Sequence, residues 1–181
     1  MTQTRPPLDP LTQATVTIAW VIVFNKPFYP VYVWYLVGNG VAASCATLLA
    51  APLFLAIPFI ARQSPFMARL ALPIVGTLDT LFETKLFGHG SGTALFFGAC
   101  FMLSALSFFA QEKWWQRSMA AFVFAVFLFS QYLLGPPLRV WSDPDLAILL
   151  RLNMFSVACL MAFIAIRMPV LRPDVSATNH L

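Results

Sequence analysis

Four ionisable residues, Lys26, Asp79, Glu83 and Arg151, stand inside runs of otherwise apolar sequence, accompanied by Asn25 and Asn153. An ionised side chain in hydrocarbon is costly unless it is paired, so such residues form ion pairs, bind ligands or line pathways. Other residue types offer less chemistry. Cys45, Cys100 and Cys159 fall inside apolar runs, with a spacing that fits neither a zinc site nor a disulfide framework, and read as small packing residues. His89 lies among glycines in a connecting segment, where a solvated loop histidine is expected, although a pH sensor is also conceivable there. The only other histidine, His180, lies in the tail, so a haem held by two histidines of one chain is not expected. No phosphate-binding loop, dinucleotide fingerprint or serine-triad arrangement is present. The expectation is a non-enzymatic protein with no catalytic residue, no metal ligand set and no cofactor.

The elements that must position these residues follow from composition. The chain of 181 residues is 60% hydrophobic and 10% charged, with a mean hydropathy of +0.78. A water-facing domain usually carries about 25% charged residues. Val41–Ala61, Thr93–Gln111 and Ser118–Leu138 contain no Asp, Glu, Lys or Arg, and each is near the ~20 residues that cross a ~30 Å hydrocarbon layer as a helix. The runs are continuous rather than alternating, which favours helices over a membrane barrel. The fold class is therefore all-α, a polytopic membrane protein of about six spans. The expected division is a cytoplasmic segment 1–11, a six-helix domain 12–167 and a cytoplasmic tail 168–181. The start of the chain lacks the basic, apolar and cleavage regions of a signal peptide.

The spans run from about Thr12 to Val37, interrupted at Asn25-Lys26-Pro27 and Pro30; Val41–Ala61; Ser64-Pro65 to about Phe87; Thr93–Gln111; Ser118–Leu134; and Ser142-Asp143-Pro144 to about Arg167. Serine followed by proline is a helix start at Ser64 and Ser142. Pro52, Pro58 and Pro73 each remove a backbone hydrogen bond and should bend their helices. Small residues recur at four-residue spacing in Ala42/Ala46/Ala50, Ala94/Gly98 and Ala158/Ala162, a pattern that permits close helix approach in lipid. Alternate connections are unequal in charge: Arg5, Arg62, Arg69, Lys113, Arg117, Arg167 and Arg172 lie on one side, against Lys85 and Arg139 on the other. Basic residues favour the cytoplasm, which places both ends there and requires an even number of spans. Trp34 and Trp141 mark the outer interface, Trp114 and Trp115 the inner one.

Depth then groups the charges. Asp79 is fourteen residues beyond Pro65 and Lys26 fourteen beyond Thr12, each ~21 Å from the inner face at ~1.5 Å per residue. Arg151, seven residues beyond Pro144, is ~10 Å below the outer face. Glu83 is one turn above Asp79. Lys26, Asp79, Glu83, Arg151 and Asn153 are thus expected to cluster in the outer third of the membrane, walled by Phe28, Tyr29, Tyr32 and Tyr35. Three roles stand open: a ligand or ion site, a structural pair of Asp79 with Arg151 or Lys26, or cations that snorkel to the headgroups.

Three stretches also resemble the six-helix membrane modules at the front of some bacterial class III nucleotide cyclases and related signalling proteins. They are Val23-Phe24-Asn25-Lys26-Pro27-Phe28-Tyr29; Ser64-Pro65 through Leu72-Pro73 and Gly76-Thr77 to Leu86-Phe87-Gly88; and Leu150-Arg151-Leu152-Asn153 with Ser156-Val157. The likeness covers about residues 12–167 and carries over no catalytic residue. It implies a sensor or anchor in the bacterial cytoplasmic membrane, here without the cyclase domain, so cyclase activity is not expected. The leading expectation is a sensory or regulatory membrane module that binds a ligand or partner near the outer leaflet. The alternatives are a structural or assembly subunit of a larger membrane complex, and a small transporter or channel. Its expected partners are the lipid bilayer and a membrane or cytoplasmic protein, with no nucleic acid.

Overall fold

Proline and glycine set most of the boundaries between helices. A computed structural model describes residues 7–169; most of the expected tails, with Arg5, Arg172 and His180, lies outside that range. The described chain is all-helical, without a strand.

Helix α1, Pro10–Asn25, is capped by Asp9, which accepts from the Thr12 N–H at 2.9 Å. It starts two residues before the expected Thr12 because Pro10 suits the first helical turn. Pro27 and Pro30 lack the N–H groups that would continue it, and the chain bends by 42° into α2, Phe28–Val37. Gly38, left-handed at φ 76°, ends α2 and donates its N–H to Val33 O and Trp34 O. Helix α3, Val41–Cys45, passes through a 3₁₀ stretch, Ala46–Ala50, into α4, Ala51–Gln63. Here Pro52 cannot donate, and the Ala51 N–H reaches Leu48 O instead, tightening the turn.

Helix α5, Pro65–Phe87, starts where expected, with Ser64 Oγ accepting from the Met67 N–H at 3.4 Å. The connection to the next helix holds two short 3₁₀ turns, His89–Ser91 and Thr93–Leu95, with Ser91 and Thr93 fully buried. Helix α6, Phe96–Leu106, stops five residues before the expected Gln111. Phe109 is extended, and Glu112 accepts its N–H at 2.9 Å, which turns the chain by 113° into α7, Lys113–Tyr132. The turn was hidden because Phe108 and Phe109 continue the apolar run through it. Helix α8, Asp143–Arg167, is capped by Ser142 as expected.

Helix α5 is the hub, packed against α1, α4, α6 and α7, while α8 lies against α6, α2 and α1. Polar contacts collect at the two ends of the bundle. At one, Asp9, Arg69 and Glu112 converge, and Met168 belongs to the same apolar cluster as Leu11 and Ala14. The two ends of the described chain are therefore neighbours. At the other, Asn39 accepts from Arg139 at 3.1 Å and donates to Asp145 at 3.2 Å, and Lys85 Nζ donates to Leu134 O and Pro136 O. Gly40 lies beneath the Trp141 ring, so close that a Cβ there would overlap it.

Three stretches are long and apolar enough to cross a membrane: Val41–Gln63, Pro65–Phe87 and Asp143–Arg167. Two bent pairs raise the number to five if each counts as one span. Only 22–33% of the most apolar window of each single stretch is buried, so most of that hydrocarbon faces outward.

Candidate functional site

The break between α1 and α2 positions the site's cation. Lys26 sits at that break, and the bend turns its side chain inward, where the residue is only 8% exposed. Its ammonium donates to Thr47 O at 2.9 Å, lies 2.7 Å from Asp79 Oδ2 and reaches Glu83 Oε1 at 3.0 Å. An ammonium has three N–H groups, and each finds a partner. The Phe54 ring closes the same side, 5.7 Å from the nitrogen. Asp79 and Glu83, one turn apart on α5, both point at this one cation. The carboxylates outnumber the cation two to one, within a protein interior that screens charge poorly.

Asn153 is fully buried one layer away. Its Nδ2 donates to Ser91 O at 2.8 Å and to Tyr29 Oη at 3.4 Å, while its Oδ1 has no partner. Tyr29 packs edge-on against Phe87, with centroids 5.6 Å apart. A ladder of threonines lines the same stretch of α5: Thr77, Thr80 and Thr84 each donate to the carbonyl four residues earlier. These bonds satisfy hydroxyls that would otherwise be stranded.

Of the residues grouped by depth, Lys26, Asp79 and Glu83 meet, and Asn153 and Tyr29 lie beside them. Arg151 does not join them. Leu149, Asn153 and Val157 form the buried face of α8, and Arg151, two residues from each of the first two, projects outward. It has no ion-pair partner among the described residues. Phe28, Tyr32 and Tyr35 are likewise exposed, because α2 buries Pro30 and Val33 and turns those three rings away. Of the expected aromatic wall, only Tyr29 faces the cluster.

Two polar groups escaped the sequence reading, one at this site and one at the bundle end that holds Asp9 and Glu112. The Thr47 carbonyl is a backbone group, which no residue type announces. Arg69 counts in the sequence as a charge flanking a loop, yet it is 3% exposed within α5. It pairs with Glu112 at 2.7 Å and its guanidinium carbon lies over the Phe109 ring, 4.4 Å from the centroid. Its position four residues past Pro65, inside the helix, was the available signal.

His89 is exposed, with Nε2 2.9 Å from Ser130 O. Among the described residues, no group of three His, Cys, Asp or Glu side chains is placed to hold a metal ion. Two surface clefts lie at the bundle ends, one beside Gln13 and Arg167, the other beside His89, Arg139 and Trp141. Neither is lined by the Lys26 cluster. No family model matches the chain, and neither does any curated protein or solved structure.

Proposed function

We propose that the chain is a six-span membrane protein of the bacterial cytoplasmic membrane, with both ends in the cytoplasm, acting as a non-enzymatic sensory or regulatory module. The outward apolar surface of α4, α5 and α8 supports a lipid environment, since large side chains such as Phe59, Leu78, Phe155 and Ile166 stand exposed on it. The neighbouring ends of the described chain and the basic bias of alternate connections support an even count, with α6 and α7 as separate spans. The cyclase-module motifs support the bacterial and signalling parts of the reading.

One observation carries the regulatory role: the buried cation sits at the hinge of the first span. Lys26 joins α1 to α2 and is tied to α5 and to the segment before α4. Any event that favours a structure without these ties shifts α2 relative to α1, and a signal passes only through such a difference between two states. Spin labels at exposed Tyr35 on α2 and Tyr132 on α7, in a cysteine-free background, test the clamp. Native protein should give one narrow distance distribution, and Lys26→Met a shifted or broadened one. An unchanged distribution would discard the clamp.

A second reading, a subunit that assembles with other membrane chains, is favoured by Arg151, exposed on α8 with no ion-pair partner among the described residues.

A further inference from the structure

Five exposed residues of α8 lie on one stripe: Ala147, Arg151, Phe155, Ala158 and Ala162. Their spacing of four, four, three and four keeps them on a single helix face. Each has a different consequence for what covers it. Ala158 and Ala162 leave room for a neighbouring backbone, the arrangement that lets helices associate in lipid. A small pair alone does not single out this face, because α7 also exposes Ala121 and Ala125 beside Phe124, Leu128, Phe129 and Tyr132; α7 has no charged residue from Ser118 to Tyr132, so Arg151 is what sets the α8 face apart. By contrast, Ala94 and Gly98, the small pair of α6, are spent inside the bundle, where a Cβ on Gly98 would touch Met161 of α8 at 3.8 Å.

Charge narrows the occupant. Arg151 stands ~10 Å below the start of α8, with no carboxylate in ion-pair range among the described residues. A second copy of this chain cannot supply one at that height: Asp79 and Glu83 are both engaged by Lys26. A parallel two-fold contact would also set Arg151 against itself, and like charges repel strongly where water is scarce. We infer that this face of α8 docks a transmembrane helix of a different protein, one that carries a carboxylate level with Arg151 and a small-residue surface opposite Ala158 and Ala162. The inference rests on α8 being a membrane span and names the partner chemistry of the assembly reading.

The test uses the full chain in phosphatidylcholine nanodiscs with a fluorescent polyleucine helix of about 20 residues, bearing either one Asp seven residues from its outer end or none. Energy transfer should report binding of the Asp helix about tenfold tighter than of the all-Leu helix. Arg151→Gln should erase that difference and Arg151→Lys should keep most of it, without altering the melting temperature. Ala158→Leu with Ala162→Leu should weaken binding of the Asp helix although Arg151 remains. Equal binding of both helices, or indifference to Arg151→Gln, overturns the inference. It is also overturned if phosphatidylglycerol in the nanodisc displaces the Asp helix completely, for then Arg151 is a lipid-headgroup contact. A chain that stays soluble outside the nanodisc fails at the earlier step and strikes the membrane reading itself.

Discussion

Lys26 and Arg151 begin as equals. Both are single cations in apolar sequence, at nearly the same height by residue count, and both have acidic residues within reach on paper. In the fold they part completely. Lys26 is buried with three acceptors around its ammonium, whereas Arg151 faces outward with no ion-pair partner in the described chain. The difference lies in azimuth, not depth. Rise per residue fixes how far a side chain sits along the helix axis, but a rotation of 100° per residue decides which neighbour it meets. Lys26 turns inward because Pro27 and Pro30 break its helix. Arg151 turns outward because Leu149, Asn153 and Val157 claim the inner face of an unbroken one.

The largest expected effect breaks the buried member of the pair. Lys26→Met leaves Asp79 and Glu83 facing each other without a cation, and removing one partner of a buried ion pair costs about 3–5 kcal/mol. Thermal melting in detergent should show the loss, with Arg151→Met unchanged beside it. Adding Asp79→Asn and Glu83→Gln to Lys26→Met should restore most of the stability, because the stranded charges are then gone. Failure of that rescue would mean that Lys26 acts through its packing on Phe54. Charge transposition sharpens the same contrast. Lys26→Asp with Asp79→Lys should recover part of what each single change loses. Asp79→Arg with Arg151→Asp should recover nothing, since those two side chains never meet.

Much of this architecture was legible before any coordinates. The apolar runs marked the helices, Ser64-Pro65 and Ser142-Asp143-Pro144 marked two starts, and the glycines at 38, 40, 88 and 92 marked the turns. Depth counting also brought Lys26, Asp79 and Glu83 together. Helical phase was what remained hidden. A soluble helix shows its inner face as an apolar stripe, but α2 and α8 are apolar nearly all round, so Tyr29 looked no different from Tyr32, nor Asn153 from Arg151. The α6–α7 turn was concealed for the same reason, because Phe108 and Phe109 read as helix interior. Arg69 was missed differently: a charge one turn inside a helix was counted with the loop.

A smaller effect should come from Gly92, which lies close against Leu150 of α8. Its φ of 79° disfavours any side chain, and a Cβ there would lie 2.6 Å from Leu150 Cδ1. Gly92→Ala adds backbone strain and pushes on the residue next to Arg151, at a cost of about 1–3 kcal/mol. The melting temperature should fall, and a spin label at exposed Phe155 should report a changed distance to one on α7. A fall in stability without a change in distance would show that α8 keeps its phase through other contacts.

The smallest effect expected concerns Asn153, the polar group on the face of α8 turned away from Arg151. Asn153→Leu removes the bond to Ser91 O and the longer one to Tyr29, and it also removes a buried Oδ1 that has no partner. These changes oppose each other, because a lost hydrogen bond destabilises while the loss of an unsatisfied polar atom stabilises. The net cost should be about 1 kcal/mol, far below that of Lys26→Met. Asn153→Asp retains the acceptor that has no partner and replaces the donor, placing a third carboxylate beside Tyr29 and near Glu83, so it should destabilise more than leucine does. If leucine instead proves as damaging as Lys26→Met, the phase of α8, and with it the outward position of Arg151, is held by that one amide rather than by the apolar face around it.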